Sequence, residues 1–375
     1  MRILHIYSGN LYGGIETMLV TLARQRDLCP EMEPHFALCF EGRLSESLHA
    51  TQSEVHQLGN VRVSRPISVL RARHALSELI RGSEFDVVIC HAPWSQAIFG
   101  TVVRQAKLPL VFWMHGPTNG HHWSERWARC TRPDLVICNS HFTASTLSHL
   151  YSGVRAEVVY CPVAMAPANK SEDERRTTRV ELKTAEDATV IIQVSRMERL
   201  KGQLLQVEAM SRLRSIPNWV CWIVGGAQRA DELSYYAELQ SLANRLGIAE
   251  RIRFIGERSD VARLLNAADI YCQPNTQPDA FGIAFIEALS AGLPVVTTAL
   301  GGAPEIVDDS CGILVQPNDA GILASSLRSL IEDNSRRDTL GNAGPERARH
   351  LCDPEKQMAK IYELTSNLLE GSLNV

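Results

Sequence analysis

Short apolar runs that alternate with longer segments of helical periodicity are the feature that most limits how this chain can fold. The runs are apolar throughout, which is typical of strands buried on both faces of a parallel sheet. The candidate strands are residues 2–7, 35–40, 86–91, 110–115, 135–139, 156–160, 189–194, 219–224, 252–255, 269–272, 294–297 and 313–315. Candidate helices between them include residues 15–26, 70–81, 231–246 and 319–331. This order predicts an α/β protein whose parallel sheets are covered by helices on both faces.

A polar segment near the middle of the chain predicts a boundary between two domains. In KSEDERRTT, residues 170–178, hydrophobic side chains are absent and charged ones dominate. We therefore expect a linker near residues 161–180, and 375 residues are enough for two domains that each bury a core. Ligands of doubly wound domains bind beyond the carboxyl ends of the strands, so two facing domains would form a site in the cleft between them.

Charge and cysteine content argue against several classes of protein. The net charge of −4 argues against nucleic-acid binding, whereas residues 1–170 hold 16 Lys and Arg against 13 Asp and Glu and are compatible with an anionic partner or membrane surface. Ten cysteines without a CxxC pair, several of them inside apolar runs, indicate free thiols in a reducing compartment. No signal-peptide core and no apolar run of about 18 residues occur. We therefore expect a cytoplasmic protein.

Glycines and basic residues stand where two strands give way to helices. Gly13-Gly14 precede the first helix, so their amides could approach a phosphate or a sugar, or could simply form a tight turn. The spacing differs from the G-x-G-x-x-G of dinucleotide-binding enzymes. In VSRMERLKGQ, Arg196 follows a strand and Lys201 stands at the entry to a helix. Two cations beside a helix N-terminus suit a diphosphate, and the alternative is a pair of solvated surface charges.

A histidine ends the fifth candidate strand. His115 lies at the carboxyl end of LVFWMHG, where ligands bind in parallel sheets, although a structural histidine is the more common case. The segment that follows, PTNGHHWSERW, is a candidate acceptor loop. A metal site built from His115, His121 and His122 has no convincing ligand spacing.

Two acids interrupt one of the most apolar stretches, QPDAFGIAFIEALSAGLPVV, residues 277–296. Asp279 precedes a helix that starts near Gly282, and its simplest interpretation is an N-cap. Glu287 lies within that helix among apolar neighbours, so its carboxylate needs hydrogen-bond donors. A ribose diol or a pair of sugar hydroxyls would supply them, as would a buried arginine or a backbone amide. The next segment, TTALGGAPEIV, adds flexible backbone and one more acid on the same rim: Gly301, Gly302 and Glu305.

These motifs resemble those of family 4 glycosyltransferases, in the same order and over nearly the whole chain. The matching blocks are GGIE, HG, SRMERLKG, FIGERSDV, DAFGIAFIEALSAGLPVV and GGAPEIV. The resemblance implies a GT-B fold, with two Rossmann-like doubly wound domains that face each other across a cleft. An acceptor domain at 1–168, joined by a returning C-terminal helix at 356–375, would precede a nucleotide-sugar domain at 180–355.

The resemblance also implies an activity and its partners. Such enzymes move a sugar from a nucleoside diphosphate sugar to a hydroxyl acceptor with retention of anomeric configuration, without a cofactor or a divalent metal. We expect UDP or GDP in the donor, and a glycan, a lipid-linked or a small-molecule acceptor. Two alternatives remain within the same fold: a nucleotide-sugar epimerase, and a catalytically weak or silent nucleotide-sugar-binding protein.

Site residues follow from the resemblance position by position. Arg196 and Lys201 would hold the diphosphate, Asp279 would bind hydroxyls of the transferred sugar, and His115 would contact that sugar near the reacting carbon. Glu287 would accept from the ribose hydroxyls. The donor-binding residues implied are Gly13, Gly14, Phe281, Gly282, Ile283, Glu287, Gly301, Gly302 and Glu305.

The residue at position 279 departs from the family pattern. The family usually has glutamate where this chain has Asp279. Aspartate is one methylene shorter, which predicts a change in donor preference.

Residues 65–82 combine Arg65, Arg71, Arg73 and Arg81 with apolar residues at helical spacing. Such a helix can lie on an anionic membrane surface, although an ordinary solvated face is the simpler interpretation.

Overall fold

The computed structural model describes residues 1–10, 12–165 and 171–373, apart from the side chains of 371–373, and divides into two compact units. One unit comprises Met1–Val163 together with Cys352–Val375, and the other comprises Ala164–Leu351. Each contains its own parallel sheet and its own hydrophobic core. None of the helices in the described ranges combines the length and the apolar character needed to cross a bilayer.

The first unit is built on a seven-stranded sheet in the order β3-β2-β1-β4-β5-β6-β7, with every pairing parallel. Its strands are β1 Arg2–Tyr7, β2 Glu33–Leu38, β3 Val55–Gln57, β4 Val87–His91, β5 Leu110–Met114, β6 Leu135–Cys138 and β7 Ala156–Val158. Its first helices are α1 Gly14–Arg24, α2 Arg43–His49, α3 Pro66–Gly82, α4 Ala92–Gln105, α5 Trp123–Ala128 and α6 His141–Thr146. The strand order reverses direction between β1 and β4, which is the switch point of a doubly wound sheet.

The second unit has a six-stranded parallel sheet in the order β10-β9-β8-β11-β12-β13. Its strands are β8 Thr189–Val194, β9 Trp219–Val224, β10 Ile252–Gly256, β11 Ile270–Gln273, β12 Val295–Thr298 and β13 Gly312–Val315. Its helices are α7 Glu172–Glu181, α8 Gln203–Ser211, α9 Ala230–Arg245, α10 Val261–Ala267, α11 Ile283–Ser290, α12 Ala303–Ile306, α13 Ala320–Glu332 and α14 Asn334–Cys352. Here the switch point lies between β8 and β11. The last helix, α15 Pro354–Leu373, belongs to the first unit, where Lys360 donates to the carbonyl of Val158.

Every strand expected from the sequence is present, and the prediction of parallel α/β sheets is confirmed. Within β1, Ile3, Leu4 and Ile6 are fully buried, as a strand covered on both faces requires. Strand β3 was not predicted, because it is a three-residue edge strand with two polar residues and no apolar run. Edge strands of this kind carry little pattern in the sequence.

The expected linker is wrong over most of its charged part. Residues 172–181 form helix α7, whose N-cap Ser171 accepts from the Glu174 amide and whose first turn is acidic. Arg179 is buried and its guanidinium binds Asp269 and the Ala267 carbonyl. Residues 166–170 lie outside the described residues. The linker was predicted because this segment is charged and lacks apolar residues. The helix that forms there packs through buried arginine contacts and not through an apolar stripe.

Candidate functional site

Three of the expected residues come together at the switch point of the second unit. Arg196 follows β8, Lys201 lies in the short 3-10 turn Arg199–Lys201, and Asp279 follows β11. Nζ of Lys201 donates to Oδ2 of Asp279 at 2.5 Å, although the two residues are 78 positions apart. Oδ1 of Asp279 accepts from the Ala280 amide at 2.9 Å. The sheet topology therefore creates a partly buried ion pair where ligands of such sheets bind.

The Asp279 carboxylate is charged at neutral pH. Burial alone would raise its pKa, but the charge and the hydrogen bond of Lys201, with a further contribution from Arg196, hold the pKa of Asp279 below its usual value. Asp279 therefore serves as the fixed counter-charge of Lys201. Its expected N-cap role is not seen, because the Asp279 carboxylate binds Ala280 and Lys201, and the residue before α11 is Gly282.

Arg196 is positioned by two acids that the sequence analysis did not identify. Glu198 binds Nη2 of Arg196 at 2.6 Å, and the buried Glu232 lies 3.8 Å from Nη1. Nη1 is itself buried and makes no hydrogen bond to a described residue. Glu198 lies inside the block SRMERLKG, whereas Glu232 comes from α9 and no sequence signal linked it to Arg196. A buried donor without an acceptor is suited to an anion.

Glu287 is partly buried in the middle of α11, and its side chain has no partner among the residues that the structure describes. Its carboxyl receives neither a hydrogen bond nor an ion pair from the described residues, so the buried arginine or backbone amide considered from the sequence is not found there. Burial raises the pKa of Glu287 to about 7. Such a carboxyl is poised to accept hydrogen bonds from a ligand.

Two glycines shape the loop that carries Asp279. Gly301 has φ +61°, and a Cβ there would lie 2.1 Å from the Asp279 carbonyl oxygen. Gly302 donates its amide to that same oxygen at 2.9 Å. Gly282, the N-cap of α11, has φ +111°, and a Cβ there would contact the Phe285 ring. These glycines therefore fix the backbone around Asp279, and their role in donor binding stays a prediction.

The remaining predicted residues of the second unit lie in the same loops. Phe281 is buried, and Ile283 is the first residue of α11. Glu305 lies in α12, where its carbonyl accepts from Nη2 of Arg347 at 2.9 Å. Their roles as donor-binding residues stay predictions.

In the first unit, the GGIE block forms the N-terminus of α1. The Gly13 amide donates to Oε2 of the buried Glu16 at 2.8 Å, and the Tyr7 hydroxyl donates to Oε1 at 2.8 Å. The glutamate of the block is thus a capping residue. Gly14 is the first residue of the helix and is exposed. Since the Gly13 amide already has an acceptor, Gly14 is the better placed of the two to meet a phosphate.

His115 ends a chain of three histidines at the switch point of the first sheet. Nε2 of His115 lies 2.8 Å from Nδ1 of His91, and Nε2 of His91 lies 2.9 Å from Nδ1 of His5. Burial lowers the pKa of His5 and of His115 to about 3 and holds the pKa of His91 well below its usual value. His115 is therefore neutral at pH 7. His5 and His91 were not predicted as site residues, because in the sequence they are ordinary members of apolar strands.

The candidate acceptor loop after His115 is anchored at two points. Thr118 donates its amide and its hydroxyl to Thr146, and the Gly120 amide donates to Glu125 at 2.7 Å. His121 and His122 do not join His115 in any group with metal-ligand spacing within the described ranges. Trp123, at the end of the loop, is 43% exposed.

Solved structures share this fold over the whole chain. The crystal structure of Anabaena HepE in complex with UDP-glucose is 25% identical, covers 98% of this chain and 100% of its own, and superposes with a TM-score of 0.87. Two doubly wound parallel units, with cations and acids at the switch point of the second, place the chain in the GT-B class of glycosyltransferases.

Family models and curated relatives agree with this class. The model for glycosyl transferases group 1 matches residues 174–347, and the model for Glycosyltransferase Family 4 matches residues 12–167. The chain is similar to the lipopolysaccharide core biosynthesis glycosyltransferase LpsE of Rhizobium meliloti, with 30% identity over 76% of each chain. A GDP-mannose-dependent monoacylated phosphatidylinositol monomannoside mannosyltransferase of Corynebacterium glutamicum is 28% identical over 96% of this chain and 94% of its own. The chain belongs to glycosyltransferase family 4, and the epimerase and silent-binding alternatives are not favoured.

Proposed function

We propose that this glycosyltransferase moves a sugar from UDP or GDP to a hydroxyl group of a glycolipid or glycan, with retention of anomeric configuration and without a metal ion. The observation that carries the proposal is the Glu287 carboxyl, which is partly buried, has no donor among the described residues and has its pKa raised to about 7. The vicinal hydroxyls of a ribose would supply two donors at once. The Arg196–Lys201 segment of the same unit is suited to the diphosphate.

Charge development explains how the site could act without a metal. When the bond between the anomeric carbon and the leaving oxygen breaks, negative charge grows on the diphosphate and positive charge on the sugar. Lys201, the unsatisfied Nη1 of Arg196 and the N-terminal amides of α11 would stabilise the diphosphate. The departing phosphate oxygen would take the proton of the acceptor hydroxyl as the new bond forms on the same face. Retention then needs no covalent nucleophile.

Asp279 would bind the transferred sugar through the lone pairs of its carboxylate oxygens that accept no hydrogen bond from Lys201 or Ala280. Each of its oxygens already accepts one hydrogen bond, from Lys201 or from Ala280, and each keeps a further lone pair. We propose that a hydroxyl of the transferred sugar binds there. Asp279→Glu would then change the ratio of kcat/KM between UDP-glucose and GDP-mannose, and unchanged transfer and donor affinity in Asp279→Ala would contradict the role.

The names of the relatives guide the choice of substrates. The mannosyltransferase uses GDP-mannose on a phosphatidylinositol mannoside, LpsE acts in lipopolysaccharide core biosynthesis, and HepE was solved with UDP-glucose. We propose a lipid-linked acceptor for this chain on that basis. We also propose a cytoplasmic location, because all ten cysteines are free and nine of them are buried.

Contact with a membrane surface would use the start of α3. Arg73 is held by the Ile98 carbonyl, and the charge of Arg81 is offset by its neighbour Glu78. Arg65 and Arg71 remain, beside Ile67 and Leu70, which are 65% and 63% exposed. The proposed membrane contact is therefore narrowed to the first half of helix α3.

A liposome experiment tests this contact. We expect the protein to sediment with vesicles that contain anionic lipid, and the double variant Arg65→Gln/Arg71→Gln to sediment less, because each basic residue near such a surface contributes about 1 kcal/mol. Arg81→Gln is the matched control on the same helix. Equal sedimentation of all three proteins would contradict the proposal.

The activity is tested by product analysis. Purified protein is incubated with UDP-glucose or GDP-mannose and a lipid-linked or glycan acceptor, in the presence of EDTA, and products are identified by mass spectrometry. The anomeric configuration follows from the proton coupling constant in NMR. We expect transfer with retention, and a large loss in Glu287→Ala but not in Glu172→Ala, an exposed acid of α7. Inversion, a strict requirement for added metal, or binding without turnover would each overturn the proposal.

A further inference from the structure

A second cluster of potential ligand residues lies at the outer edge of the first sheet, away from the carboxyl ends of its strands. His35 is the third residue of β2, and Glu54 and His56 flank Val55 at the start of β3. Ala37 pairs with His56 in this parallel ladder, so alternation places all three side chains on one face. One potential ligand atom from each lies within 4.8 Å of the other two.

His35 has the hydrogen bonding of a metal ligand. The residue is 1% exposed, and its Nε2 lies 3.0 Å from Oε1 of Glu33. A carboxylate at that distance accepts a proton from Nε2, which leaves Nδ1 as a bare lone pair. Nε of Arg2 is 3.4 Å from the same nitrogen, and this longer contact is the weaker competitor. Nδ1 is buried and has no hydrogen-bond partner in the described part of the chain. Metal-binding histidines are oriented by a carboxylate in this way.

His56 and Glu54 complete the set. Nε2 of His56 is also buried and receives no hydrogen bond from residues 1–10, 12–165 and 171–373, and it lies 3.9 Å from Oε2 of Glu54. An imidazole nitrogen with a free lone pair is a common ligand of transition metals. Glu54 is exposed and can move. The two buried imidazole nitrogens lack a partner, and the Glu54 carboxylate on the same face is close enough to share one with them.

We propose that Nδ1 of His35, Nε2 of His56 and a carboxylate oxygen of Glu54 bind a divalent transition metal, with Zn²⁺ preferred. Two imidazoles and one carboxylate are a usual Zn²⁺ donor set, in which a water fills the fourth position. Bonds of about 2.0–2.2 Å require the ligand atoms to draw together by roughly an ångström, which the exposed Glu54 and the edge strand permit. The metal would tie the three-residue strand β3 to β2. This site is separate from the transfer chemistry proposed above, which needs no metal.

Competition for Zn²⁺ with a chromophoric chelator measures the affinity and stoichiometry. We expect one Zn²⁺ per chain for the wild type. His56→Gln and Glu54→Gln, which change residues at or near the surface, are expected to bind at least roughly 10-fold more weakly, and Glu33→Gln roughly 10–100-fold more weakly through loss of the orienting carboxylate. His74→Gln, at an exposed histidine of α3, is the matched control and is expected to bind as the wild type does.

Co²⁺ substitution supplies a readout that a loss of folding would not imitate. We expect intense visible bands of tetrahedral Co²⁺ with the wild type and with His74→Gln, and their loss in His56→Gln, whose folding is verified by circular dichroism. Zn²⁺ is also expected to raise the Tm of the wild type but not that of His56→Gln. Absence of stoichiometric Zn²⁺ binding by the wild type, or equal binding by His56→Gln, would overturn the proposal.

Discussion

The ion pair between Lys201 and Asp279 shows how one residue can be held ready for a ligand. The lysine ammonium would otherwise swing on a flexible four-carbon stem, and the aspartate fixes it at 2.5 Å. Both side chains are less than one-fifth exposed, so their attraction is weakly screened. A diphosphate would share the ammonium with Asp279 and would not need to immobilise it.

Removal of the Lys201 charge is predicted to reduce turnover. Lys201→Met keeps most of the apolar stem, removes a donor to the leaving diphosphate and leaves Asp279 without its main counter-charge. By analogy with the loss of one stabilising donor in other enzymes, we expect kcat to fall about 10²–10³-fold. Lys356→Met, at an exposed lysine of α15, is the control for loss of one positive charge. Initial-rate kinetics with saturating donor measure the effect, and a kcat within twofold of the wild type would exclude the proposed role.

Glu287 is predicted to release a proton when a donor sugar nucleotide binds. Its pKa of about 7 in the free protein means that about half of the molecules carry the proton at pH 7. Ribose hydroxyls would stabilise the carboxylate and lower that pKa, so binding releases about half a proton. Calorimetry of UDP-glucose or GDP-mannose binding in buffers of different ionisation enthalpy counts the protons. Glu287→Gln should bind without this release, and equal release in both proteins would contradict the assignment.

The raised pKa of Glu287 also determines in which direction the stability of the protein changes with pH. The folded protein holds the Glu287 proton to higher pH than the unfolded chain does. The free energy of unfolding is therefore predicted to decrease as the pH rises from 4.5, the ordinary pKa of a glutamate, to about 7. Glu287→Gln, which cannot ionise, should remove this part of the pH dependence.

At the scale of elements, three strands of the first sheet each contribute one histidine to a single chain. His5 belongs to β1, His91 ends β4 and His115 follows β5, and neutral imidazoles can join in only two continuous proton orders. In one order every ring carries its proton on Nε2, which leaves an N–H of the buried His5 without a partner. In the other order every ring carries it on Nδ1, and His5 has only an unused lone pair. Orphaned buried N–H groups are the rarer case, which favours the second order.

All three histidines are therefore predicted to be Nδ1–H tautomers, with His115 offering a neutral N–H donor at the edge of the sheet. Long-range ¹H–¹⁵N correlation spectra of ¹⁵N-histidine-labelled protein distinguish the two tautomers directly. We expect His91→Phe to remove this order and return His115 toward the Nε2–H form that isolated histidine prefers. His74→Phe, on exposed α3, is the control. Nε2–H signals for His115 in the wild type would show that the chain runs in the opposite direction.

Helix α7 is held by two arginines that bind Asp269, and Arg179 is the more deeply buried of the two. Arg179 is 2% exposed and donates to a carboxylate, at 2.7 Å, and to several carbonyls: Asp269, Ala267, Glu186 and Ala188. Arg179→Met is predicted to lower the free energy of unfolding by about 1–3 kcal/mol, because the buried carbonyls lose their donor, whereas Asp269 keeps its ion pair with Arg175. Arg176→Met, on the exposed face of the same helix, should change it little. Urea denaturation followed by circular dichroism measures both, and similar losses in the two variants would contradict this account.

Sequence patterns predict the elements here better than the contacts that complete the site. Fully apolar strands and glycines after strands are local signals, and they were sufficient to place Arg196, Lys201 and Asp279 at strand exits. The pairing of Lys201 with Asp279 depends on β8 lying beside β11, which no local pattern specifies. His5, His91 and Glu232 were missed for the same reason, since each acquires its partner only through the folded sheet. The charged segment that forms α7 was misjudged because its anchor is polar.

At the scale of the whole molecule, most of the residues expected to bind the donor belong to the second unit, whereas His115, Gly13 and Gly14 belong to the first. Nearly half of the sheet strands, and a complete hydrophobic core, belong to that second unit. We therefore expect a nucleotide to bind mainly through the second unit, and the first unit to act mainly on the sugar and the acceptor.

Hydrogen exchange can locate the nucleotide site without any assumption about the acceptor. We expect UDP or GDP, in the presence of EDTA, to slow amide exchange in residues 196–203 and 279–287. Where exchange requires release of the ligand, the slowing at a concentration of 100 Kd is about 100-fold, or about 2.7 kcal/mol. The strands β1 and β2 of the first unit should be unaffected, and the matching nucleoside without phosphates should protect less. Protection confined to the first unit, or protection that appears only after Mg²⁺ is added, would contradict a metal-independent site in the second unit, because neither result could arise from Arg196, Lys201 and Glu287 acting alone.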